Sequence, residues 1–170
     1  ANIAWTDIKV PGNWEVQGHG TAIYTNHGYE WKPRSPQPPQ LPEANPVGVY
    51  QRDFEIPAHW NGRDIYLSLD GAKSGVYVYV NGKEVGYSED SKNTAEFKLN
   101  KYLKEGKNSL VLKIFRWSTG SYLECQDMFR MSGIFRDVYL YNVPLTAVRD
   151  HYITSKISAD HFSADMNIEF

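Results

Sequence analysis

The chain has 170 residues, a formal net charge of −2 and 22% charged residues, values typical of a soluble globular protein with room for one domain and a remainder. It contains no long basic run and no stretch of 18 apolar residues, which argues against nucleic-acid binding through charge and against a membrane span. Cys125 is the sole cysteine, so an intrachain disulfide and a cysteine-based zinc site are excluded.

The first part of the chain is predicted to be irregular. Trp5–Tyr29 mixes Pro, Gly and Asn with single aromatic residues and shows no period. From Pro33 to Pro46, six of 14 residues are proline. Because proline fixes φ and has no N–H for a ladder, this stretch predicts an extended, polyproline-like loop. Trp31, directly before the loop, favours an arm packed on a neighbour over a flexible linker.

The following residues predict a series of short β-strands. Asp64–Asp70 alternates between apolar and polar residues, and Asn81-Gly82 between two such runs is the strongest short-range hairpin signal. Helical periodicity is absent apart from one short turn at Tyr102–Leu103. Turn signals about every ten residues indicate an all-β fold, a β-sandwich or jelly roll. The predicted strands are Val49–Ile56, Asp64–Asp70, Val76–Val80, Lys83–Tyr87, Ala95–Leu99, Leu110–Arg116 and Gly133–Tyr141.

A second β domain is predicted to begin after the sandwich. Val148–Ser155 and Ser163–Phe170 read as a fresh hairpin, and two strands alone are not expected to be stable. The expected division is residues 1–143 and residues 144–170. The chain starts at Ala1 without an initiator methionine and ends on a strand-like MNIEF, so both ends are expected to be cuts. The sequence leaves open whether a signal peptide has been removed.

The segment Arg116–Leu140 is the most informative part of the chain. It places Glu124, Asp127 and Arg130 among large apolar residues in a connection that fits neither strand nor helix. Charged groups in such surroundings are costly unless they are paired or in use, and binding groups commonly lie on loops held by a rigid sheet. Candidate carboxylates for acid–base chemistry are Glu89, Asp90, Glu124, Asp127 and Asp137, none of which the sequence alone can pair.

Two interpretations of Asp127 follow from the residues. Its carboxylate can pin the loop by pairing with Arg130 or Arg136, or it can act as an oxygen ligand for sugar hydroxyls or for a cation such as Na⁺ or Mg²⁺. The residues themselves favour the ion pair. The five histidines give no support to a metal site, because none has the spacing that metal ligands show.

Four phrases resemble bacterial β-galactosidases of glycoside hydrolase family 2. The most specific is the SYLE-QDM-RMSGIFRDV skeleton, of which β-glucuronidases and β-mannosidases of the same family share mainly the later Gly-Ile-Arg-Val positions. The resemblance implies an N-terminal sugar-binding jelly roll of the galactose-binding-domain type, followed by the start of an immunoglobulin-like domain. The four phrases are Val10–Asn26, Asn45–Pro57, Asp70–Ser91 and Arg116–Leu140.

The same resemblance implies a role and two site residues. In the family, both catalytic glutamates of this retaining hydrolase lie on a later TIM barrel, so the chain is expected to hold no catalytic residue and to be inactive alone. Its jelly roll is expected to form one wall of the pocket for terminal β-D-galactosides such as lactose. Asp127 is implied to contact the sugar and to help hold a sodium ion. Lys73 is implied as a second sugar contact, because a well-known relative has at this position an asparagine that contacts the sugar. The lysine can donate to a sugar hydroxyl or point to solvent, and the sequence leaves both open.

The implied cofactors and partners belong to the whole enzyme. Mg²⁺ and Na⁺ are expected in the parent protein, and neither is expected to bind tightly to these 170 residues. The expected partners are a galactoside, the remaining domains of the same enzyme and further copies in a homo-oligomer. The sequence leaves the cellular location open between the cytoplasm and the periplasm of a bacterium. The alternatives are a stand-alone carbohydrate-binding module and a structural or assembly domain.

Overall fold

The computed structural model describes residues 4–31 and 36–170. Within those residues it contains 14 strands and four single 3₁₀ turns, at Glu15–Gln17, Ala58–Trp60, Asn100–Tyr102 and Thr119–Tyr122. The strands are β1 (Gly12–Asn13), β2 (Ile23–Thr25), β3 (Val47–Glu55), β4 (Asp64–Leu69), β5 (Ala72–Lys73), β6 (Gly75–Val80), β7 (Lys83–Ser88), β8 (Ala95–Lys98), β9 (Lys107–Phe115), β10 (Met128–Arg130), β11 (Gly133–Ile134), β12 (Val138–Val143), β13 (Tyr152–Ile157) and β14 (Ala164–Glu169).

Two antiparallel sheets face each other and enclose the core. One has the strand order β3-β9-β6-β7 and the other β12-β4-β8. Leu67, Val78 and Ile114 are at most 1% exposed and belong to one core cluster drawn from both sheets. Full burial of each such side chain contributes about 1.5–3 kcal/mol. The predicted all-β, jelly-roll type of sandwich is confirmed, and its alternating pattern exists because successive strand residues face opposite sides.

The predicted Asn-Gly hairpin is also confirmed. Asn81 and Gly82 have φ angles of 52° and 77°, the left-handed values that a two-residue turn between twisted strands requires. The Asn81 side chain also binds outside the turn: its Nδ2 donates to Oδ1 of the buried Asn108 at 2.8 Å. Its Oδ1 accepts from the backbone N–H of Ser109 at 3.0 Å. The turn is therefore fastened to the start of β9 as well as to its own strands.

The segment predicted to be irregular contains two short strands, so that prediction was wrong in part. β1 pairs with β11, which also pairs with β5, and β2 pairs with β10. These strands are two or three residues long, too short for any period to appear in the sequence. The two small sheets bring the N-terminal segment against the segment after β9, and they position the candidate site.

The strand predicted over Gly133–Tyr141 is broken in two. Gly133 has a φ of 101°, and a Cβ there would lie 2.7 Å from a ring atom of Trp14, so only glycine fits. After β11 the chain leaves the small sheet, and β12 joins β4 with Val138 opposite Leu69. The break occurs because the two halves belong to different sheets.

The C-terminal hairpin consists of β13 and β14, paired from Tyr152–Glu169 to Ile157–Ala164. All residues of both strands are exposed. Its first strand begins four residues later than predicted from Val148–Ser155, and Val148 lies in the irregular connection before it. The division into residues 1–143 and 144–170 stays a prediction.

A groove of about 620 Å³ opens beside the core. It is lined by residues of β3 and β12, which are the outer strands of their sheets, and it reaches the buried Leu67 and Leu99. Trp5, 55% exposed, lies along it. The described part of the chain contains no helix with the length and apolar character to span a membrane.

Candidate functional site

The segment after β9 packs against the residues that follow β7 and against β2, and it carries most of the candidate residues. Its 3₁₀ turn Thr119–Tyr122 begins with reciprocal bonds between two serines: Ser118 N–H donates to Ser121 Oγ at 3.0 Å, and Ser121 N–H donates to the Ser118 carbonyl at 3.0 Å. These bonds use backbone groups that a strand would have used. They explain why the segment departs from the strand pattern of β9.

Asp127 is an exposed residue of this segment. Its Oδ1 accepts a hydrogen bond from the Tyr24 hydroxyl at 2.7 Å, and this bond to a carboxylate raises the pKa of Tyr24 above its ordinary value. Tyr24 also packs on Phe129, with ring centroids 5.4 Å apart, and both rings are more than half exposed. The carboxylate therefore stands on an open, partly aromatic surface with its second oxygen free of described partners.

Neither arginine pairs with Asp127, so the ion-pair interpretation was wrong for the described residues. Arg130 is 1% exposed and donates to the carbonyls of Glu124 at 2.7 Å and Thr25 at 3.4 Å. Arg136 donates to the carbonyl of Lys92 at 2.6 Å. Both guanidinium groups bind backbone carbonyls, which leaves Asp127 available to a ligand.

Glu124 is already occupied by the protein. Its two oxygens accept from the N–H of Ser91 at 2.7 Å and from the Ser91 hydroxyl at 2.6 Å. A carboxylate with both oxygens bound in this way is a structural clamp between two loops. It is therefore a poor candidate for a catalytic acid or base.

Lys73 lies on β5 and forms an ion pair with Glu30, with Nζ and Oε1 2.9 Å apart. The Lys73 side chain is 12% exposed and that of Glu30 is 5% exposed. Lys73 therefore does not point freely to solvent, and its charge is balanced where it stands. Sequence reasoning missed Glu30; its position between Tyr29 and Trp31, an acid flanked by aromatic residues, was the available signal.

The pair belongs to a larger buried network. Arg116, with a side chain 6% exposed, lies 3.2 Å from the 1% exposed carboxylate of Glu15 and 3.5 Å from that of Glu30. Glu15 also accepts from the N–H of Ser132 at 2.9 Å. Two carboxylates and two cations thus balance one another and connect the N-terminal segment to the end of β9 and to β5.

A pocket of about 190 Å³ lies beside this network. The structure brings Lys73 and Glu124 together there, whereas Asp127 lies outside it, one residue before Met128. The lining combines polar groups with apolar and aromatic faces, the mixture that suits a sugar. The residues lining the pocket are Asn13, Lys73, Ser91, Lys92, Glu124, Met128, Phe129, Met131 and Phe135.

Few donor groups for a metal ion lie together in the described part of the chain. Within residues 4–31 and 36–170, no group of three or more His, Cys, Asp or Glu side chains is placed to hold a metal ion. Asp127 offers one carboxylate, and one of its oxygens already accepts from Tyr24. Hard cations such as Mg²⁺ and Ca²⁺ need six or more oxygen ligands. The described residues by themselves do not fit Na⁺ or Mg²⁺.

Trp31 is packed, as predicted for the arm before the proline loop. Its ring lies 5.4 Å from that of Tyr29, 5.2 Å from Tyr122 and 5.7 Å from Trp117. Further along, the Tyr122 hydroxyl donates to the carbonyl of Gln40. The proline-rich stretch thus contacts the site segment, although residues 33–35 of the predicted loop lie outside the described residues.

Cys125 donates its thiol hydrogen to the carbonyl of Ser121 at 2.9 Å. Burial raises the pKa of the Cys125 thiol, which keeps it protonated at neutral pH. The structure thus favours a packing role for this residue over a reactive one.

Glu89 fastens the 3₁₀ turn of the site segment to the end of β7. Its carboxylate accepts from the Tyr87 hydroxyl at 2.6 Å, from the Thr119 hydroxyl at 2.7 Å and from the N–H of Gly120. Partial burial alone would raise the Glu89 pKa, but these hydrogen bonds to the ionised form outweigh it and lower the pKa below the ordinary value.

This lowered pKa predicts a pH dependence of stability. A carboxylate with a lower pKa in the folded state stabilises the fold at pH values above its unfolded pKa, and the contribution is lost as pH falls through the folded pKa. We expect Glu89→Gln to be less stable than the wild type near pH 7, with the difference shrinking below about pH 4. Urea unfolding of both chains at pH 7, 5, 4 and 3 measures it. A difference that stays constant with pH would contradict the assignment.

The fold and the pocket define a class of protein: a β-sandwich of the galactose-binding-domain type with a pocket lined by residues of its short strands and loops. Residues 3–144 match the family model described as "Glycosyl hydrolases family 2, sugar binding domain". The chain belongs to this family of sugar-binding domains, as its motifs predicted.

Comparison with curated proteins gives the relatives. The chain is 45% identical over 166 residues to a β-galactosidase of Vibrio cholerae, covering 98% of the chain and 16% of that protein. It is 42% identical over 166 residues to a β-galactosidase of Priestia megaterium, covering 96% of the chain and 16% of that protein. The chain therefore spans about one sixth of the length of these relatives.

Solved structures with the same fold include two β-glucuronidases. One from Bacteroides uniformis has a TM-score of 0.59 at 27% identity and covers 66% of this chain and 14% of that chain. One from Bifidobacterium dentium has a TM-score of 0.59 at 22% identity, covering 72% of this chain and 27% of that chain. At 22% identity, the similarity to the Bifidobacterium dentium enzyme shows the fold alone.

Proposed function

We propose that this chain forms one wall of the galactose pocket of a retaining β-galactosidase. Support comes from the family match over residues 3–144 and from relatives named β-galactosidase at 42–45% identity. Retaining hydrolysis needs two carboxyls about 5 Å apart, one as nucleophile and one as acid. In this proposal both come from a domain outside the 170 residues, so the chain binds and orients the sugar without cleaving it.

The observation that carries the proposal is the contrast among the charged groups of the site. Glu124, Arg130 and Glu15 are all engaged by the protein, whereas Asp127 is exposed with one oxygen bound only by Tyr24. An exposed carboxylate with one oxygen free of described partners is suited to accept hydrogen bonds from sugar hydroxyls while a neighbouring aromatic ring packs on the sugar face. Lys73 is proposed as a second contact, donating from its ammonium at the neighbouring pocket.

Metal binding is proposed only for the whole enzyme. Asp127 would contribute one oxygen to Na⁺, and the remaining ligands, like those of Mg²⁺, would come from other domains. A bound cation would stabilise negative charge and fix hydroxyl groups near the sugar.

The remaining domains are the proposed partners, with assembly into a homo-oligomer. The groove beside β3 and β12 and the exposed apolar residues of the hairpin, including Phe162 at 94% and Phe170 at 88%, are surfaces that such contacts would cover. The hairpin of residues 144–170 is proposed to be the start of an immunoglobulin-like domain.

A direct experiment compares hydrolysis of a chromogenic β-galactoside by the 170-residue chain and by the full-length protein that contains it. The proposal expects activity in the full-length protein only. Activity in neither would reject the substrate while leaving the family assignment, and activity in the short chain would reject the need for outside carboxyls.

The alternative is a stand-alone carbohydrate-binding module, favoured by the exposed Tyr24 and Phe129 rings. Titration of galactose into the isolated chain separates the two. A dissociation constant below about 1 mM, equivalent to about −4 kcal/mol, would favour the module.

A further inference from the structure

Glu30 connects the buried charge network to the pocket. Its Oε1 accepts from Lys73 Nζ at 2.9 Å, and its Oε2 accepts from Trp117 Nε1 at 2.8 Å. The same Oε2 lies 3.5 Å from Nε of Arg116. With 5% of its side chain exposed, this carboxylate is held from three sides and has little freedom to move away from Lys73.

No other acidic group among the described residues forms an ion pair with Lys73. The Glu124 carboxylate is bound by Ser91 through both oxygens. Lys92 also lines the pocket and adds a second positive charge, with its Nζ 3.6 Å from the sulfur of Met128. Glu30 is thus the acidic group among the described residues that pairs with Lys73.

We propose that Glu30 is a specificity-determining positioning residue that acts through Lys73. The Lys73–Glu30 pair carries no net charge, and Lys73 lines the pocket, which suits the hydroxyl groups of an uncharged sugar. Without Glu30, the poorly solvated ammonium would attract a carboxylate, because charge-assisted hydrogen bonds are about twice as strong as neutral ones. The pair therefore selects neutral hexoses over uronic acids. This inference rests on the proposed sugar-binding role of the pocket.

The test measures binding of galactose and of galacturonate to the full-length protein by calorimetry at pH 7. The two probes differ at C6, where galacturonate carries an ionised carboxylate. In Glu30→Gln we expect the affinity for galacturonate to rise about tenfold, the effect of one charge-assisted hydrogen bond. The affinity for galactose should fall or change less than about threefold. The galacturonate gain should weaken as salt increases.

The matched control is the double variant Glu30→Gln with Lys73→Gln, in which the gain for galacturonate should disappear. Glu30→Asp is a milder second variant: it keeps negative charge beside Arg116 but withdraws it from Lys73 by one methylene, and it should give a smaller gain. A merely structural role for Glu30 would lower both affinities together and would not create a salt-sensitive gain.

The outcomes separate this inference from the proposed function. Galacturonate affinity that is unchanged or lower in folded Glu30→Gln and Glu30→Asp would overturn the inference, whatever happens with galactose. A wild-type protein that binds no galactose, together with a galacturonate gain in Glu30→Gln, would reject the proposed substrate and leave the role of Glu30 standing.

Discussion

Replacing Asp127 with alanine in the full-length protein is expected to lower kcat/KM for a β-galactoside about 100-fold, or about 2.7 kcal/mol. The carboxylate is exposed and has Tyr24 as its one side-chain partner among the described residues, so its unoccupied oxygen is free for a sugar hydroxyl. Hydrogen bonds to a charged group are among the strongest that a neutral ligand can form. Steady-state kinetics of the wild type and the variant measure the loss.

The same substitution should leave the fold intact. Surface changes away from packed or paired groups usually alter the free energy of unfolding by less than about 0.5 kcal/mol. Tyr24→Phe is the matched control, because it removes the hydroxyl that binds Asp127 and keeps the ring packed on Phe129. It should reduce kcat/KM far less than the alanine variant. An Asp127→Ala protein with an unchanged fold and unchanged kcat/KM would refute the assignment.

Replacing Arg116 with methionine is expected to destabilise the chain by about 3 kcal/mol. Its guanidinium lies between the buried carboxylates of Glu15 and Glu30. Removing it takes away a positive charge that offsets both buried negative charges. Breaking a buried pair costs about 3–5 kcal/mol. The lower end applies because Glu15 keeps the Ser132 N–H and Glu30 keeps Lys73. Urea unfolding followed by tryptophan fluorescence measures the change.

A surface ion pair provides the comparison. Lys107 pairs with Asp53 at 2.7 Å, with side chains 68% and 42% exposed. Lys107→Met should alter the free energy of unfolding by less than about 1 kcal/mol, because water already solvates both charges. If Arg116→Met were no more disruptive than Lys107→Met, the buried network would not be the stabilising element described.

Strong local signals account for the parts of the fold that could be predicted. The central strands were recognisable because β4 and β6 place alternate apolar residues in the core, and Asn81-Gly82 marks a turn whose chemistry is local. The small sheets could not be foreseen, since β1, β2 and β11 are two or three residues long and form only when distant segments meet. The break at Gly133 also depends on Trp14, more than a hundred residues away.

For the candidate site too, part could be predicted from the sequence and part could not. Asp127 and Lys73 were identified through motifs that resemble a family, and their contacts were not visible in the sequence. The residues suggested that Asp127 pairs with Arg130, yet the arginine is buried against carbonyl groups and the carboxylate is exposed. Opposite charges a few positions apart pair only if their side chains point to the same side, which the backbone of the loop decides.

The sequence by itself determined the all-β class, the order of the main strands and the family, because alternation, turn residues and motifs are properties of short segments. The tertiary structure alone decided which charges are buried together. Glu15, Glu30, Lys73 and Arg116 are separated by up to 101 positions, yet they form one balanced, buried network. Such long-range pairing depends on how the segments fold over one another, and no local pattern encodes it.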